Sequence, residues 1–119
     1  MVRLRSAAVW AGAVFLAVVF VYVGLSKFRG SSGWSERFGR WGYPANAAYV
    51  VGVLEILGGL GVLIPRSRRA ASLTLGVLMI GALCTHLVHA EFPRVIPPLV
   101  LGGVAFLMYW SHRRPSGEG

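Results

Sequence analysis

Cysteine is nearly missing from this chain: Cys84 is the one thiol among 119 residues. No intrachain disulfide can form, no Cys-x-x-Cys pair exists, and the cysteines that would hold an iron–sulfur cluster are not there. Membrane enzymes that pass electrons from thiols to quinone through their own dithiols are thereby excluded. Cys84 lies inside an apolar run and reads as a small packing residue rather than a nucleophile. Acid is also scarce, with four acidic residues against twelve basic ones, eleven of the latter Arg. No haem-ligand pair, metal-ligating cluster or nucleotide-binding glycine motif is visible, so the sequence assigns no metal and no resident cofactor. The net charge of +8 would suit nucleic acid, but the basic residues fall in the gaps between apolar runs and build no continuous face. Nucleic acid is not an expected partner.

What the chain has in abundance is apolar length. A content of 55% hydrophobic and 13% charged residues, with mean hydropathy +0.64, exceeds that of an ordinary soluble domain. Four stretches, about 7–27, 45–64, 70–88 and 95–110, approach the ~20 residues a helix needs to cross a membrane. The expectation is therefore all-α: a four-transmembrane-helix bundle, one membrane domain over 1–119, with 111–119 a disordered polar tail. The first stretch follows Arg3 and Arg5 and outruns the roughly 7–15 apolar residues of a signal peptide, so it reads as an uncleaved span. One side of the bundle collects seven basic residues, Arg3, Arg5, Arg66, Arg68, Arg69, Arg113 and Arg114. The other collects five, Lys27, Arg29, Arg37, Arg40 and Arg94. The richer side should be cytoplasmic, which gives an N-in/C-in orientation.

One carboxylate stands inside a span. Glu55 is the sole charged residue between Ala45 and Ile64. An acid near the bilayer centre costs on the order of 3 kcal/mol on insertion scales, so it should face the bundle and have a partner. Ala48, Gly52, Glu55, Gly59 and Val62 step by four and three residues onto one helical stripe, and its small members would let a neighbouring helix approach. Gly12, Leu16, Phe20, Gly24 and Lys27 share a face at the end of the first span. Lys27 has two readings: its stem snorkels to the interface, or it turns inward to meet Glu55. On the third span Ser72, Gly76, Met79, Leu83 and His86 share a face, and His86 is either an interfacial residue or a proton-relay partner of Glu55 and Lys27. Gly102 and Gly103 should allow close packing of the last span, whose Pro97 and Pro98 fit its first turn.

The long connection from Phe28 to Pro44 has Trp34, Phe38 and Trp41 at intervals of four and three, with Arg37 and Arg40 between them. This predicts a short amphipathic helix in the headgroup layer, ended by Gly42. Its aromatics form either an interfacial belt or a lid over a pocket between helices.

Gly24-Leu-Ser-Lys27-Phe, Trp41-Gly-Tyr-Pro44, Gly52-Val-Leu-Glu55-Ile-Leu-Gly-Gly59, Arg69-Ala-Ala, Met79-Ile-Gly-Ala and His86, in this order, resemble the DoxX-like family over roughly Phe20 to His86. The resemblance implies a small four-helix integral protein of the bacterial cytoplasmic membrane, related to a subunit of a thiosulfate:quinone oxidoreductase. Lys27, Glu55 and His86 match polar positions of that family. Two functions compete. The first is an accessory, quinone-interacting subunit of a membrane redox complex, in which Glu55 handles the protons that a quinone takes up on reduction. The second is a noncatalytic membrane chaperone or assembly factor, for which Gly52, Gly59, Gly76 and Glu55 serve helix association. A carrier of small hydrophobic molecules ranks third, because no inverted repeat is detectable. Candidate partners are the lipid bilayer, a membrane or soluble redox protein, and a second copy of the chain. Whether the chain is an enzyme by itself stays open.

Overall fold

Backbone N–H and C=O groups in an apolar stretch find no water and must pair within their own segment, which a helix does completely. The computed structural model describes residues 2–30, 33–44 and 46–112. Five α-helices form there: α1 Val2–Ser26, α2 Trp34–Arg40, α3 Ala47–Gly61, α4 Arg68–Val88 and α5 Ile96–His112, with a 3₁₀ turn at Phe92–Val95 before the last. No strand occurs among the described residues. The four longer helices close a ring in which α1 meets α3 and α5, α3 meets α4, and α4 meets α5.

The inward faces follow the helical periodicity. Ala13, Leu16, Ala17 and Phe20 of α1, Leu75 and Met79 of α4, Ala105 and Met108 of α5, and Val62 just after α3 form the core. The outward faces are also apolar, including Val18 and Tyr22 of α1, Leu57 of α3, Ile80 of α4 and Leu107 of α5. Lys27, Glu55, Arg68, Ser72 and Thr85 are instead buried. Apolar outside with polar groups within reverses the arrangement that water selects, and it suits a hydrocarbon solvent. Three segments, Leu4–Ser26, Arg68–Val88 and Phe92–Ser111, are long and apolar enough to cross a membrane, while Ala47–Gly61 is shorter.

Several boundaries move from their expected places. The first helix begins at Val2 rather than near 7, because nothing in Arg3-Leu-Arg-Ser breaks a helix. The second apolar helix begins at Ala47, after a turn in which Ala47 N–H donates to Pro44. It ends at Gly61 instead of 64: after Gly58, Gly59 and Gly61 the chain tightens, and Leu63 and Ile64 donate to carbonyls three residues back. Arg68, expected in the basic gap before the third span, is buried and opens α4, its Nε donating to the Val62 carbonyl at 2.6 Å and its guanidinium lying 4.3 Å from the Trp10 ring. That bond satisfies a carbonyl left over at the end of α3. Ser111 and His112 continue α5 instead of starting a disordered tail, and the Ser111 carbonyl accepts from Arg5 at 3.1 Å. The remainder of that tail, 113–119, lies outside the described residues.

Glycine lets the helices touch. A Cβ added at Gly24 would sit 2.7 Å from the Gly52 carbonyl oxygen, and one at Gly52 would sit 3.0 Å from that of Gly24. Gly59 packs on Phe20 and Val21, Gly76 on the ring of Phe106, and Gly102 on Met79, whereas Gly103 has nothing within 4 Å and takes no part. Gly24→Ala should therefore force α1 from α3 and destabilise the protein by roughly 1–3 kcal/mol. Gly103→Ala should be neutral or slightly stabilising. Melting temperatures of the two variants in detergent check this, and a Gly24→Ala protein as stable as the parent contradicts the packing.

Candidate functional site

The site is built from the point where α1 and α3 come closest. All of Ala48, Gly52, Glu55, Gly59 and Val62 are buried, so the stripe bearing Glu55 faces the neighbouring helices. α1 ends at Ser26, and Lys27 follows in a turn, its N–H donating to the Gly24 carbonyl at 3.2 Å. Because Gly52 has no side chain, the Lys27 stem passes over it; a Cβ there would lie 3.1 Å from that of Lys27. The ammonium thus reaches one helical turn further along α3, and Lys27 Nζ stands 2.8 Å from Glu55 Oε1 with both side chains 3% exposed. Lys27 turns inward and does not snorkel. At that distance the ammonium and the carboxylate make a charge-assisted contact that each needs in an apolar interior.

Helix α2 covers the pair. Gly33 enters it at φ 80° and Gly42 leaves it at φ 90°, backbone angles that a side chain would oppose. Gly42 and Tyr43 donate back to Gly39 and Phe38, which closes the helix end and turns the chain toward α3. Trp34 lies over Lys27, its ring centre 3.8 Å from Nζ, and its Nε1–H donates to Ser26 Oγ at 3.0 Å. Phe38 is buried and contacts the rings of Trp34, Trp41 and Tyr43. Tyr43 donates to Thr85 Oγ1 at 2.6 Å, since the Thr85 hydroxyl proton is already given to the Gly81 carbonyl. Between the reading of these aromatics as a belt and as a cover, the geometry has Trp34, Phe38 and Trp41 lining one cavity together with Lys27, Glu55 and His86.

That cavity is a half-open cleft of about 730 Å³, within the ~300–1,000 Å³ usual for small-molecule sites. Phe20 and Val23 of α1, Val51 of α3, Leu78 and Met79 of α4 and Leu101 of α5 give it apolar walls. Its polar groups gather under α2. Such a space has room for a small apolar molecule with a hydrogen-bonding head. No group of three or more metal-ligating side chains occurs among the described residues.

His86 reaches this cavity by a different attachment. Its Nδ1–H donates to Glu91 Oε1 at 2.8 Å, not to Glu55, and the Trp41 ring stands edge-on to it at 5.5 Å. Trp41 Nε1–H donates to the other Glu91 oxygen at 3.3 Å, and Arg94 Nη1 lies 3.8 Å from that same atom. Glu91 thus ties α2 to the end of α4. It was missed as a site residue because the chain reversal that returns it to His86 uses an alanine. Ala90 adopts φ 57°, its N–H donates to Leu87, and Glu91 N–H donates to His86, a helix-ending motif usually announced by glycine.

These features define a class: an all-helical membrane protein in which a buried Lys–Glu pair heads an apolar cavity beneath a short aromatic helix. Residues 11–108 match the model of the DoxX-like family, and the chain belongs to that family. The match extends beyond Phe20 to His86 in both directions and takes in Glu91. The chain is also similar, at 34% identity over 79 residues, to the Bacillus subtilis (strain 168) protein named "Putative oxidoreductase CatD". The aligned part covers 66% of this chain and 59% of that relative. No solved structure matches the chain.

The Glu91 cluster has a pH signature. The hydrogen bond from His86 holds the Glu91 carboxyl below its ordinary value of 4.5, Trp41 and the charges of Arg94 and His86 adding to it against partial desolvation. A carboxyl depressed in the folded state contributes stability above its unfolded pKa and loses it as pH falls through the folded one. The melting-temperature gap between the parent and Glu91→Gln should hold steady down to about pH 5 and shrink below about 4.5. A gap independent of pH would remove Glu91 from this role.

Proposed function

We propose that this protein is an accessory component of a membrane redox complex in the bacterial cytoplasmic membrane, and that its cavity seats a quinone-class molecule. The observation that supports this best is the Lys27–Glu55 pair, buried at 2.8 Å and opening on a cavity of about 730 Å³. Holding two charges in an apolar interior costs several kcal/mol per ion before their attraction is counted, so packing alone is a poor reason to keep them there. The CatD name supplies the word oxidoreductase, and that word comes to this chain only as part of the proposal.

In this reading α3 is the fourth span. Its 15 residues rise about 22 Å, short of a ~30 Å hydrocarbon layer, and the turns through Val62 to Arg68 complete the crossing. Both termini lie in the cytoplasm, and α2 rests in the opposite headgroup layer as a lid over the cavity. A quinone supplies a redox couple that takes up two electrons and two protons. The electrons come from a partner redox protein, membrane or soluble. The Glu55 carboxylate, paired with Lys27 at rest, takes up a proton at the head of the cavity and passes it on. Lys27 balances the charge that this exchange leaves behind, and Trp34 fixes the ammonium in place. His86, bonded to Glu91, connects the cavity to the aqueous side beyond α2.

Glu55→Gln, assayed in membranes containing the native complex, should lower quinone reduction at least tenfold while the protein is still made. Lys27→Met/Glu55→Leu removes both charges and should restore stability without restoring turnover, which separates folding from proton handling. Unchanged turnover in Glu55→Gln sinks this reading. Turnover that merely tracks the amount of protein favours the noncatalytic assembly factor instead.

A further inference from the structure

The cations around the cavity are not equally matched. Lys27 has Glu55 at 2.8 Å, and Arg94 has Glu91 at 3.8 Å. Arg37 also lines the cavity and is half-buried, yet among the described residues no carboxylate lies within ion-pair distance of it. Its guanidinium lies 4.7 Å from the Trp34 ring, the same indole that meets Lys27 Nζ. Stacking on an indole orients a guanidinium and leaves its in-plane N–H donors unused. Two cations meet one indole and Glu55 pairs with Lys27 of the two, which leaves the charge of Arg37 at the edge of an apolar space.

We infer that the cavity selects an acidic amphiphile, an apolar ring or chain bearing one ionised oxygen acid, and that Arg37 is the residue that pairs with the acid. The inference rests on the reading that the cavity seats a small apolar molecule, and it names the class of that molecule. The planar fork of Arg37 suits a carboxylate or the enolate of a hydroxyquinone, either of which can accept two parallel N–H bonds or one short charged one. The apolar body lies along Val51, Leu78, Met79 and Leu101. Glu55 is placed to disfavour a second negative charge on the same ligand, so a singly charged acid is preferred over a dianion.

Calorimetric titration of the full chain in an uncharged detergent tests this with two matched pairs. One pair is a 2-hydroxy-3-alkyl-1,4-naphthoquinone and its 2-methyl counterpart; the other is dodecanoate and its methyl ester. At a pH where both acids are ionised, the acidic member should bind at least about tenfold more tightly, the scale of one charge-assisted hydrogen bond. Arg37→Gln should close that gap, while Arg40→Gln, on the exposed side of α2, should leave it. A preference for the acid in the quinone pair identifies a redox ligand; one confined to the dodecanoate pair identifies a lipid acid and upholds the assignment while removing the quinone. Equal binding of acidic and neutral members overturns the inference and leaves the cavity reading standing. A gap that survives Arg37→Gln overturns the role of Arg37. Binding of none of the four overturns both the inference and the reading beneath it. The comparison of ligands on the parent protein needs no variant to fold.

Discussion

A buried ammonium facing a buried carboxylate is the constraint that the rest of the structure serves. Either charge alone in an apolar interior would be strongly destabilising, so Lys27 and Glu55 persist only because each satisfies the other. Their meeting depends on the backbone contact at Gly24 and Gly52, which brings the end of α1 to within a lysine stem of the middle of α3. It depends also on Trp34, whose indole lies 3.8 Å from the ammonium and is itself tied to Ser26. Loss of any of these exposes a charge to a medium that solvates it poorly.

The same economy explains α2. A seven-residue helix has little stability of its own, and here it is held at each end by polar bonds to the bundle. Trp34 fastens one end to α1, and Trp41 and Tyr43 fasten the other to Glu91 and Thr85. Its buried Phe38 contributes the apolar anchor between them. The result is a polar, aromatic cover on an otherwise apolar cavity, with acid–base groups at the head and hydrocarbon walls below. That division places the polar groups at one end of the cavity and the apolar ones along its walls.

How far this could be read in advance varies from residue to residue. The buried face of α3 was legible because Ala48, Gly52, Glu55, Gly59 and Val62 repeat at helical spacing and one of them is a charge that lipid would reject. The inward turn of Lys27 was not, since a lysine at a helix end is equally at home at the interface; only the missing side chain at Gly52 decides it. Glu91 was hidden because Ala90 takes a backbone angle that sequence reading grants to glycine. Arg68 was hidden among neighbouring arginines that are exposed, although its burial follows from the need of the α3 carbonyls for donors. Helix ends shifted for the ordinary reason that glycine and capping bonds, and not apolar content, determine where a helix stops.

The Lys27–Glu55 contact has to persist in a bilayer for the cavity to keep its charged head. Solid-state NMR on protein in lipid, with ¹⁵N at Lys27 Nζ and ¹³C at the Glu55 carboxyl, measures it through their dipolar coupling. A separation compatible with an Nζ to Oε1 distance of 2.8 Å is the predicted result. A coupling too weak to detect, with the lysine nitrogen exchanging freely with water, would contradict it.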